Sequence, residues 1–421
     1  MSTLFNGLVE KLETVNEKKV ADFIFSKQKE IFEFVCELIR TPSINPPGDE
    51  REVSVVLQDR LKKLGVERVQ ILAKDPTRPN VVVEVLGNLP GKRIMLSGHI
   101  DTKPPGDLSL WKSEPLEPLV VGDQLIGLGS GDMKAAVAGM VYAAAAVRSL
   151  DSFSGSLALA LTADEENGSI FGSKWLADEG HIKADVCVIG EPGGILEEWE
   201  SIHLVSRGAA LFKIVVIGTQ MHSSISDQLP AINATLKMAE LAIKMQRELK
   251  SYLTFKEHPL CRFGPTVNVG VTSQSGVTYG VFPGRAEFAC DVRTLPGMSE
   301  TQIKTDIQKF LDDAMRDDRE LEARLEWRLM VGATEINQDH PVVDCLRETA
   351  EQVLGKTLRI DAFPGATDAA YVQSSAGVPC IASFGPGFLP RAHSPNESMH
   401  VNGAAESAMV YALAALRYLE K

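Results

Sequence analysis

The sequence has no long apolar run, no closely spaced pair of cysteines and no excess of positive charge. Nowhere in its 421 residues do about 18 apolar residues follow one another without interruption, so we expect no membrane-spanning helix. The formal net charge of -13 argues against a surface for nucleic acids or anionic membranes. Six scattered cysteines without Cys-x-x-Cys spacing are typical of buried thiols in a reducing compartment. The first 45 residues contain charged side chains throughout and no apolar signal segment, so we expect a cytoplasmic location.

Short apolar runs alternate with helical stretches through the first half of the chain. The runs "VVVEVLG", "RIMLSG", "GSLALALTA" and "ADVCVIG" are apolar on both faces, and an alanine-rich segment between the second and third predicts a helix. Buried strands joined by helices are typical of an α/β fold, a largely parallel sheet with helices on both sides.

The pattern changes after Arg207, where the predicted order becomes strand, helix, strand, strand, helix, strand. This is the order of a ferredoxin-like α+β unit. A chain of 421 residues exceeds what one hydrophobic core usually fills. We therefore predict a catalytic domain over 1–206 and 332–421, interrupted by an inserted domain over 207–331.

Polar side chains follow several of the predicted strands at the point where each strand ends. In open α/β sheets, ligands bind beyond the carboxyl ends of the strands, so these side chains are expected to meet at one edge. A further aspartate opens the alanine-rich helix. The residues concerned are His99, Asp101, Asp132, Asp164, Glu165, Glu166, Glu191 and His393.

So many carboxylates at one edge of a sheet repel one another strongly unless cations lie between them. Neutral His99 and His393 with ionised Asp132, Glu166 and Glu191 supply three negative charges. Two Zn²⁺ and one bridging hydroxide would balance them, and zinc takes such mixed ligand sets. Asp101 is then expected to fix the tautomer of His99. Neighbouring residues of a strand point in opposite directions, so one of Glu165 and Glu166 is predicted to bind metal and the other to accept a proton.

The segments "GHIDT", "GSGDMK", "ADEEN", "GEP" and "AHSPNE", in this order, resemble a known family of enzymes. It is the co-catalytic zinc metallopeptidase and deacylase family of acetylornithine deacetylase, succinyl-diaminopimelate desuccinylase, aminoacylase and glutamate carboxypeptidase. The resemblance implies that Asp132 bridges two zinc ions, with Co²⁺ or Mn²⁺ as possible substitutes. It places His99 and Glu191 on one ion, Glu166 and His393 on the other, and makes Glu165 the general base. It also implies a cis peptide bond between Asp132 and Met133.

The resemblance extends to the inserted domain, which is similar to the family's lid and dimerisation module. It implies a homodimer formed through this domain, in which His222 reaches the partner's active site and helps to hold the oxyanion. Asn268 and Arg293 would bind the substrate, and Gly365, Thr367, Gly385 and Gly387 would line the pocket. The expected substrate is a small N-acyl amino acid or short peptide.

Three alternatives remain open from the sequence. The first is a dipeptidase or glutamate-carboxypeptidase-like exopeptidase on the same dizinc site, and the second is a catalytically silent ligand-binding homologue. The third concerns single residues: His400 competes with His393 for the metal, and Arg293 also fits a simple surface cation. His181, His203, His258 and His340 are predicted to be surface residues, and Lys134 is predicted to be exposed to solvent.

Overall fold

The structure is a computed structural model that describes Phe5 and residues 7–421. Residues 1–4 and 6 lie outside the described residues. They belong to the predicted first part of the catalytic domain and to the stretch in which we expect no signal peptide. The chain forms two compact units. The first contains the chain up to Val205 together with Glu335–Phe363 and Thr367–Lys421, and the second contains Ser206–Thr334 and Pro364–Ala366.

A six-stranded mixed sheet is the centre of the first unit. The spatial order is Val69–Leu72, Asn80–Leu86, Ser154–Thr162, Leu89–His99, Val186–Ile189 and Cys380–Ile381. The last four strands of this order are parallel to one another, and the first two pair in antiparallel fashion. The parallel strands are apolar on both faces, as predicted, because helices cover both sides of the sheet.

The two helix layers differ in character. On one face the alanine-rich helix Ala135–Arg148 packs against Gly403–Glu420, and both are buried along nearly their whole length. Gly139 permits this approach, because a Cβ atom there would overlap the side chain of Ser407. Ser173–Asp178 and Ala369–Ser374 cover the opposite face. The remaining helices of this unit are Leu8–Lys11, Val15–Arg40, Arg51–Lys63 and Pro341–Leu354.

Short strands complete the first unit. They include Leu119–Val121, Gln124–Ile126, Pro192–Gly194, Ser201–Ser206 at the boundary, Arg359–Phe363, Gly385–Phe388 and Ser398–His400.

Among the described helices, none is both long and apolar enough to cross a membrane.

The second unit has the predicted order of strand, helix, strand, strand, helix, strand. Its four-stranded antiparallel sheet runs in the spatial order Thr266–Ser275, Arg285–Thr294, Gly208–Ile217 and Glu322–Val331. The helices Ala234–Tyr252 and Glu300–Asp317 connect the strands, with a small hairpin of Met221–His222 and Val281–Phe282 beside them. The predicted fold class, an α/β domain with an inserted ferredoxin-like α+β unit, is confirmed. The role of this unit as a lid and dimerisation domain stays a prediction.

The prediction that His203 is a surface residue is wrong. This histidine lies in the strand Ser201–Ser206 and is 1% exposed. Its ring packs edge-on against Phe363, and Nδ1 lies 3.2 Å from the hydroxyl of Ser383. The strand was not recognised in the sequence, because the histidine interrupts a short apolar run that reads equally well as a loop.

Burial lowers the pKa of His203 to about 4. The unfolded chain, with a pKa of about 6.5, therefore binds the proton first as the pH falls. The native state should lose stability between about pH 6.5 and pH 4, by about 3 kcal/mol for this residue alone. Urea unfolding of the wild type and a His203→Phe variant at a series of pH values isolates the contribution. A constant difference between the two proteins over this range would contradict the prediction.

Candidate metal centre

The carboxyl ends of three adjacent parallel strands deliver the candidate ligands to one edge of the sheet. His99 is the last residue of its strand, Glu166 lies four residues beyond the end of Ser154–Thr162, and Glu191 lies two beyond the end of Val186–Ile189. All three side chains are buried. The apolar strands therefore end where the polar cluster begins, as the sequence indicated.

Asp132 enters the same cluster from the turn Ser130–Lys134, which leads into the helix Ala135–Arg148. The peptide bond between Asp132 and Met133 is cis, as the resemblance implied. The buried carboxylate of Glu397 holds this turn by accepting the N–H groups of Gly129, Gly131 and Asp132 at 2.9–3.0 Å. Burial and the nearby Asp132 raise the pKa of Glu397 to about 8.

The two carboxylate oxygens of Asp132 face different partners. Oδ1 lies 3.0 Å from His99 Nε2, which is itself 3.6 Å from Glu191 Oε1. Oδ2 lies 3.2 Å from His393 Nε2, which is 3.1 Å from Glu166 Oε1. Asp132 thus stands between two sets of one histidine and one glutamate.

These spacings fit the coordination of two divalent ions. Ligand atoms about 2.0–2.1 Å from a tetrahedral zinc ion lie roughly 3.3 Å from one another. The observed separations of 3.0–3.6 Å match that value. Two groups of potential ligands meet within 4.8 Å among the described residues: His99, Asp132 and Glu166, and His99, Glu165 and Glu191. The donor types are also those that zinc accepts.

The electrostatics of the cluster favour a bound cation. Burial raises the pKa of Glu191 well above its usual range, and repulsion by Asp132 adds to this effect. Burial alone would lower the pKa of His99, but hydrogen bonds to Asp101 and Asp132 outweigh it and the pKa is raised. Burial would likewise lower the pKa of His393, but hydrogen bonds to Asp132 and Glu166 outweigh it and raise the pKa to about 10. Protons thus neutralise charge that metal ions would neutralise in the loaded protein.

His393 is the most accessible member of the cluster. Its side chain is 47% exposed, whereas those of Asp132 and Glu166 are 7% and 3% exposed. The backbone at His393 has a φ of 57°, in the left-handed region. Solvent therefore reaches the cluster at His393.

Glu165 and Glu166 are not strand neighbours as predicted. They belong to the 3₁₀ turn Glu165–Asn167, which follows Asp164 in the left-handed conformation with a φ of 68°. Side chains in such a turn point about 120° apart, so the two carboxylates still diverge. Glu166 faces His393, while a Glu165 oxygen lies near the ligand atoms of His99 and Glu191. Burial raises the pKa of Glu165 well above its usual range.

Asp101 contacts His99 differently from the prediction. His99 Nδ1 lies 3.0 Å from the backbone oxygen of Asp101 and 3.6 Å from its carboxylate. The carboxylate instead accepts the backbone N–H groups of Glu165 and Glu166, each at 3.2 Å. Asp101 thus joins the histidine to the turn that carries both glutamates.

The other predicted site residues are divided between the two units of the chain. His222, Asn268, Arg293 and Gly365 belong to the second unit. There Nδ1 of His222 accepts the N–H of Ser224, and Arg293 donates to Asp291 at 2.8 Å. Thr367, Gly385 and Gly387 belong to the first unit, where Thr367 is buried and both glycines lie in the strand Gly385–Phe388 beside Pro192–Gly194.

His393 Nε2 lies 3.2 Å from Asp132 and 3.1 Å from Glu166, whereas the side chain of His400 contacts other residues. Its Nδ1 accepts the N–H of Asn402, and its Nε2 is 3.9 Å from Asp123. The alternative that His400 replaces His393 therefore finds no support in the geometry.

The prediction for Lys134 is wrong. Its side chain is 1% exposed, and Nζ donates to the backbone oxygens of Leu38 and Thr41 at 2.8 Å each. Burial lowers its pKa to about 7. Lys134 ties the turn of Asp132 to the end of the helix Val15–Arg40, because the tight turn aims this lysine inward instead of toward solvent.

Two cationic or acidic neighbours of the cluster escaped the sequence analysis. Lys103 Nζ lies 3.2 Å from Glu166 Oε2 and also donates to the backbone oxygen of Glu166. Glu397 was recognised only as part of the segment "AHSPNE". The contacts of both residues join distant parts of the chain and therefore leave no spacing signal in the sequence.

The fold and the cluster of His, Asp and Glu side chains are typical of a metal-dependent hydrolase. Residues 95–417 match the family described as Peptidase family M20/M25/M40, so the chain belongs to this family and is an amide-cleaving enzyme. This confirms the resemblance.

Two relatives and one solved structure illustrate the similarity. A succinyl-diaminopimelate desuccinylase of Pelagibacter ubique is 27% identical over 353 residues, 82% of this chain and 88% of that protein. A succinyl-diaminopimelate desuccinylase of Cupriavidus pinatubonensis is 28% identical over 377 residues, which are 86% of this chain and 91% of that protein. The crystal structure of an M20 family metallo-carboxypeptidase from Sulfolobus solfataricus aligns with a TM-score of 0.75 and 20% identity, covering 93% of this chain and all of that one.

A metal ion that binds the folded state and not the unfolded chain stabilises a protein, so we expect zinc to raise the Tm of the chelator-treated protein. At 100 times the Kd the gain is about 2.7 kcal/mol. We expect Asp132→Ala to lose this response and Asp59→Ala, which removes an exposed aspartate from the helix Arg51–Lys63, to keep it. Thermal unfolding with and without zinc measures the effect. An unchanged Tm of the wild type on zinc addition would contradict the assignment of the cluster as a metal centre.

Proposed function

We propose that the protein is a dizinc deacylase that removes the acyl group, succinyl or acetyl, from an N-acyl amino acid. The observation that carries the proposal is the shared carboxylate of Asp132, with one histidine and one glutamate on each side. The choice of substrate class is supported by the desuccinylases to which the chain is similar over more than four fifths of its length. Zinc is the proposed metal, with cobalt and manganese as substitutes.

The proposed ligand sets follow the two sides of Asp132. His99 and Glu191 would hold one ion and Glu166 and His393 the other. When bound, the ions supply Lewis-acid activation of the scissile carbonyl and of the attacking water. The half-buried Glu165 accepts the proton from that water and delivers it to the leaving amine nitrogen. Asp101 fixes the backbone from which Glu165 and Glu166 project.

Residues of the second unit complete the proposal. His222 is assigned to the oxyanion, and Asn268 and Arg293 are assigned to the substrate, where a guanidinium suits the carboxylate of an amino acid. Gly365 is assigned to the pocket wall, as are Thr367 and Gly385 of the first unit. His222 and Asn268 are exposed within their own unit, so their side chains are accessible to a ligand or a partner chain.

We also infer a homodimer formed through the second unit. The strand Thr266–Ser275 is an edge strand of the four-stranded sheet, and most of its residues are exposed. An exposed edge strand offers unpaired backbone groups to another chain. The proposed location is the cytoplasm, supported by six buried cysteines.

Replacing Glu165 by glutamine removes the proton acceptor and keeps the shape of the side chain. We expect kcat on the best N-acyl amino acid to fall by about 10²- to 10⁴-fold, with the metal content unchanged. Glu179→Gln, at an exposed glutamate after the helix Ser173–Asp178, should leave kcat unchanged. Loss of bound metal in Glu165→Gln would instead make Glu165 a ligand.

The substrate class is tested with a panel of N-succinyl and N-acetyl amino acids, dipeptides and C-terminal glutamate peptides. The proposal predicts the highest kcat/KM for an N-acyl amino acid. A higher kcat/KM for dipeptides or glutamate peptides would favour the exopeptidase alternative. No hydrolysis of any substrate by metal-loaded protein would contradict the deacylase proposal.

A further inference from the structure

A buried polar chain leads away from the metal centre, from the turn of Glu165 and Glu166 to the loop before the helix Arg51–Lys63. It begins at Asp101, whose carboxylate accepts the N–H groups of both glutamates. The amide of Asn45 donates to Asp101 Oδ2 at 2.8 Å and to Asp164 Oδ1 at 3.1 Å. Asn45 and Asp101 are both completely buried. One amide group therefore joins two carboxylates that would otherwise repel each other.

Arg78 is the cation of this chain. Its Nη2 donates to Asp164 Oδ1 at 3.0 Å, and its guanidinium forms a two-pronged contact with Glu50 at 2.6 and 2.8 Å. Arg78 is 5% exposed and Glu50 is completely buried. Gly48 leaves room for the guanidinium, since a Cβ atom at Gly48 would overlap it. The planar fork of arginine suits simultaneous contact with two carboxylates, which a lysine ammonium reproduces less well.

Asp164 connects Arg78 and Asn45 to the turn that carries Glu165 and Glu166. Its backbone has a φ of 68°, and it immediately precedes the turn Glu165–Asn167. Its second oxygen accepts the N–H of Phe171 at 3.1 Å, so both ends of the loop are tied to one side chain. Asp164 thus fixes the turn from its start, while Asp101 holds the N–H groups within it.

We propose that Arg78 and Asn45 are positioning residues for the reaction, acting through Asp164 and Asp101 to set the directions of Glu165 and Glu166. Neither residue reaches the metal ligands directly. Their effect is to hold the turn in the geometry that places Glu166 beside His393 and an oxygen of Glu165 near His99 and Glu191. This inference rests on the proposed function, because it assigns the two glutamates separate roles.

The variants for the test are Asn45→Ala, Arg78→Gln and Arg78→Lys. Arg417→Gln is the matched control, since Arg417 forms a comparably buried ion pair with Glu17 at 2.7 Å in the helices Gly403–Glu420 and Val15–Arg40. For each protein we would measure Tm, zinc affinity by titration, and kcat and KM at saturating zinc with the wild type's best substrate.

Asn45→Ala and Arg78→Gln should lower kcat and weaken zinc binding, in the range of about 10- to 100-fold that supporting residues of metal sites show. KM should stay near the wild-type value, because the network does not touch the substrate. Arg78→Lys should recover part of kcat, since it restores the charge without the fork. Arg417→Gln should lower Tm while kcat and zinc affinity stay at wild-type values.

The proposal would be overturned if Asn45→Ala kept the wild-type kcat and zinc affinity. It would also be overturned if Arg78→Gln kept both values while its Tm fell as in Arg417→Gln. Either result would make the network a structural support only. Asn45→Ala keeps the pair of Arg78 and Glu50, so it decides the question if Arg78→Gln fails to fold. Inactive wild-type protein would reject the proposed function, whereas active wild type with unaffected variants would reject only this inference.

Discussion

The gathering of buried carboxylates at one edge of a parallel sheet is the constraint on which the rest of the structure depends. Asp132, Glu166 and Glu191 lie within a few ångströms of two histidines, and the burial of the three carboxylates limits the screening of their repulsion by water. Removing one cation from such a cluster leaves charge that only protons can neutralise, and the raised pKa values of His99 and His393 express this. The fold therefore concentrates negative charge at this edge, where bound cations would offset the repulsion.

Buried charged side chains outside the cluster hold the turns that carry the candidate ligands, through hydrogen bonds to the backbone. Glu397 fixes the turn of Asp132, and Asp101 fixes the turn of Glu165 and Glu166. Lys134 anchors the first turn to a neighbouring helix. The turns that carry Asp132, Glu165 and Glu166 are thus held by residues outside the set of candidate ligands. Such support determines how well two ions and a substrate are aligned, because small displacements of catalytic groups reduce rates strongly.

The apolar runs predicted the sheet, and the polar residues at their ends predicted the cluster, because strand ends are visible in a single sequence. The supporting contacts were not visible. Asn45 and Asp164 are 119 residues apart, and Glu397 lies 265 residues from Asp132. No local periodicity encodes such pairs. His203 and Lys134 were predicted wrongly for a related reason: their burial is decided by packing between elements, which outweighs the polarity of the side chain.

An anomalous difference map of zinc-loaded crystals, recorded at the zinc absorption edge, tests the assignment of the metal centre most directly. We expect two peaks on opposite sides of the Asp132 carboxylate, one beside His99 and Glu191 and the other beside Glu166 and His393. A metal-metal separation of about 3.5–4 Å is expected for a paired site. A map without a peak at bonding distance from Asp132, in protein saturated with zinc, would contradict the account.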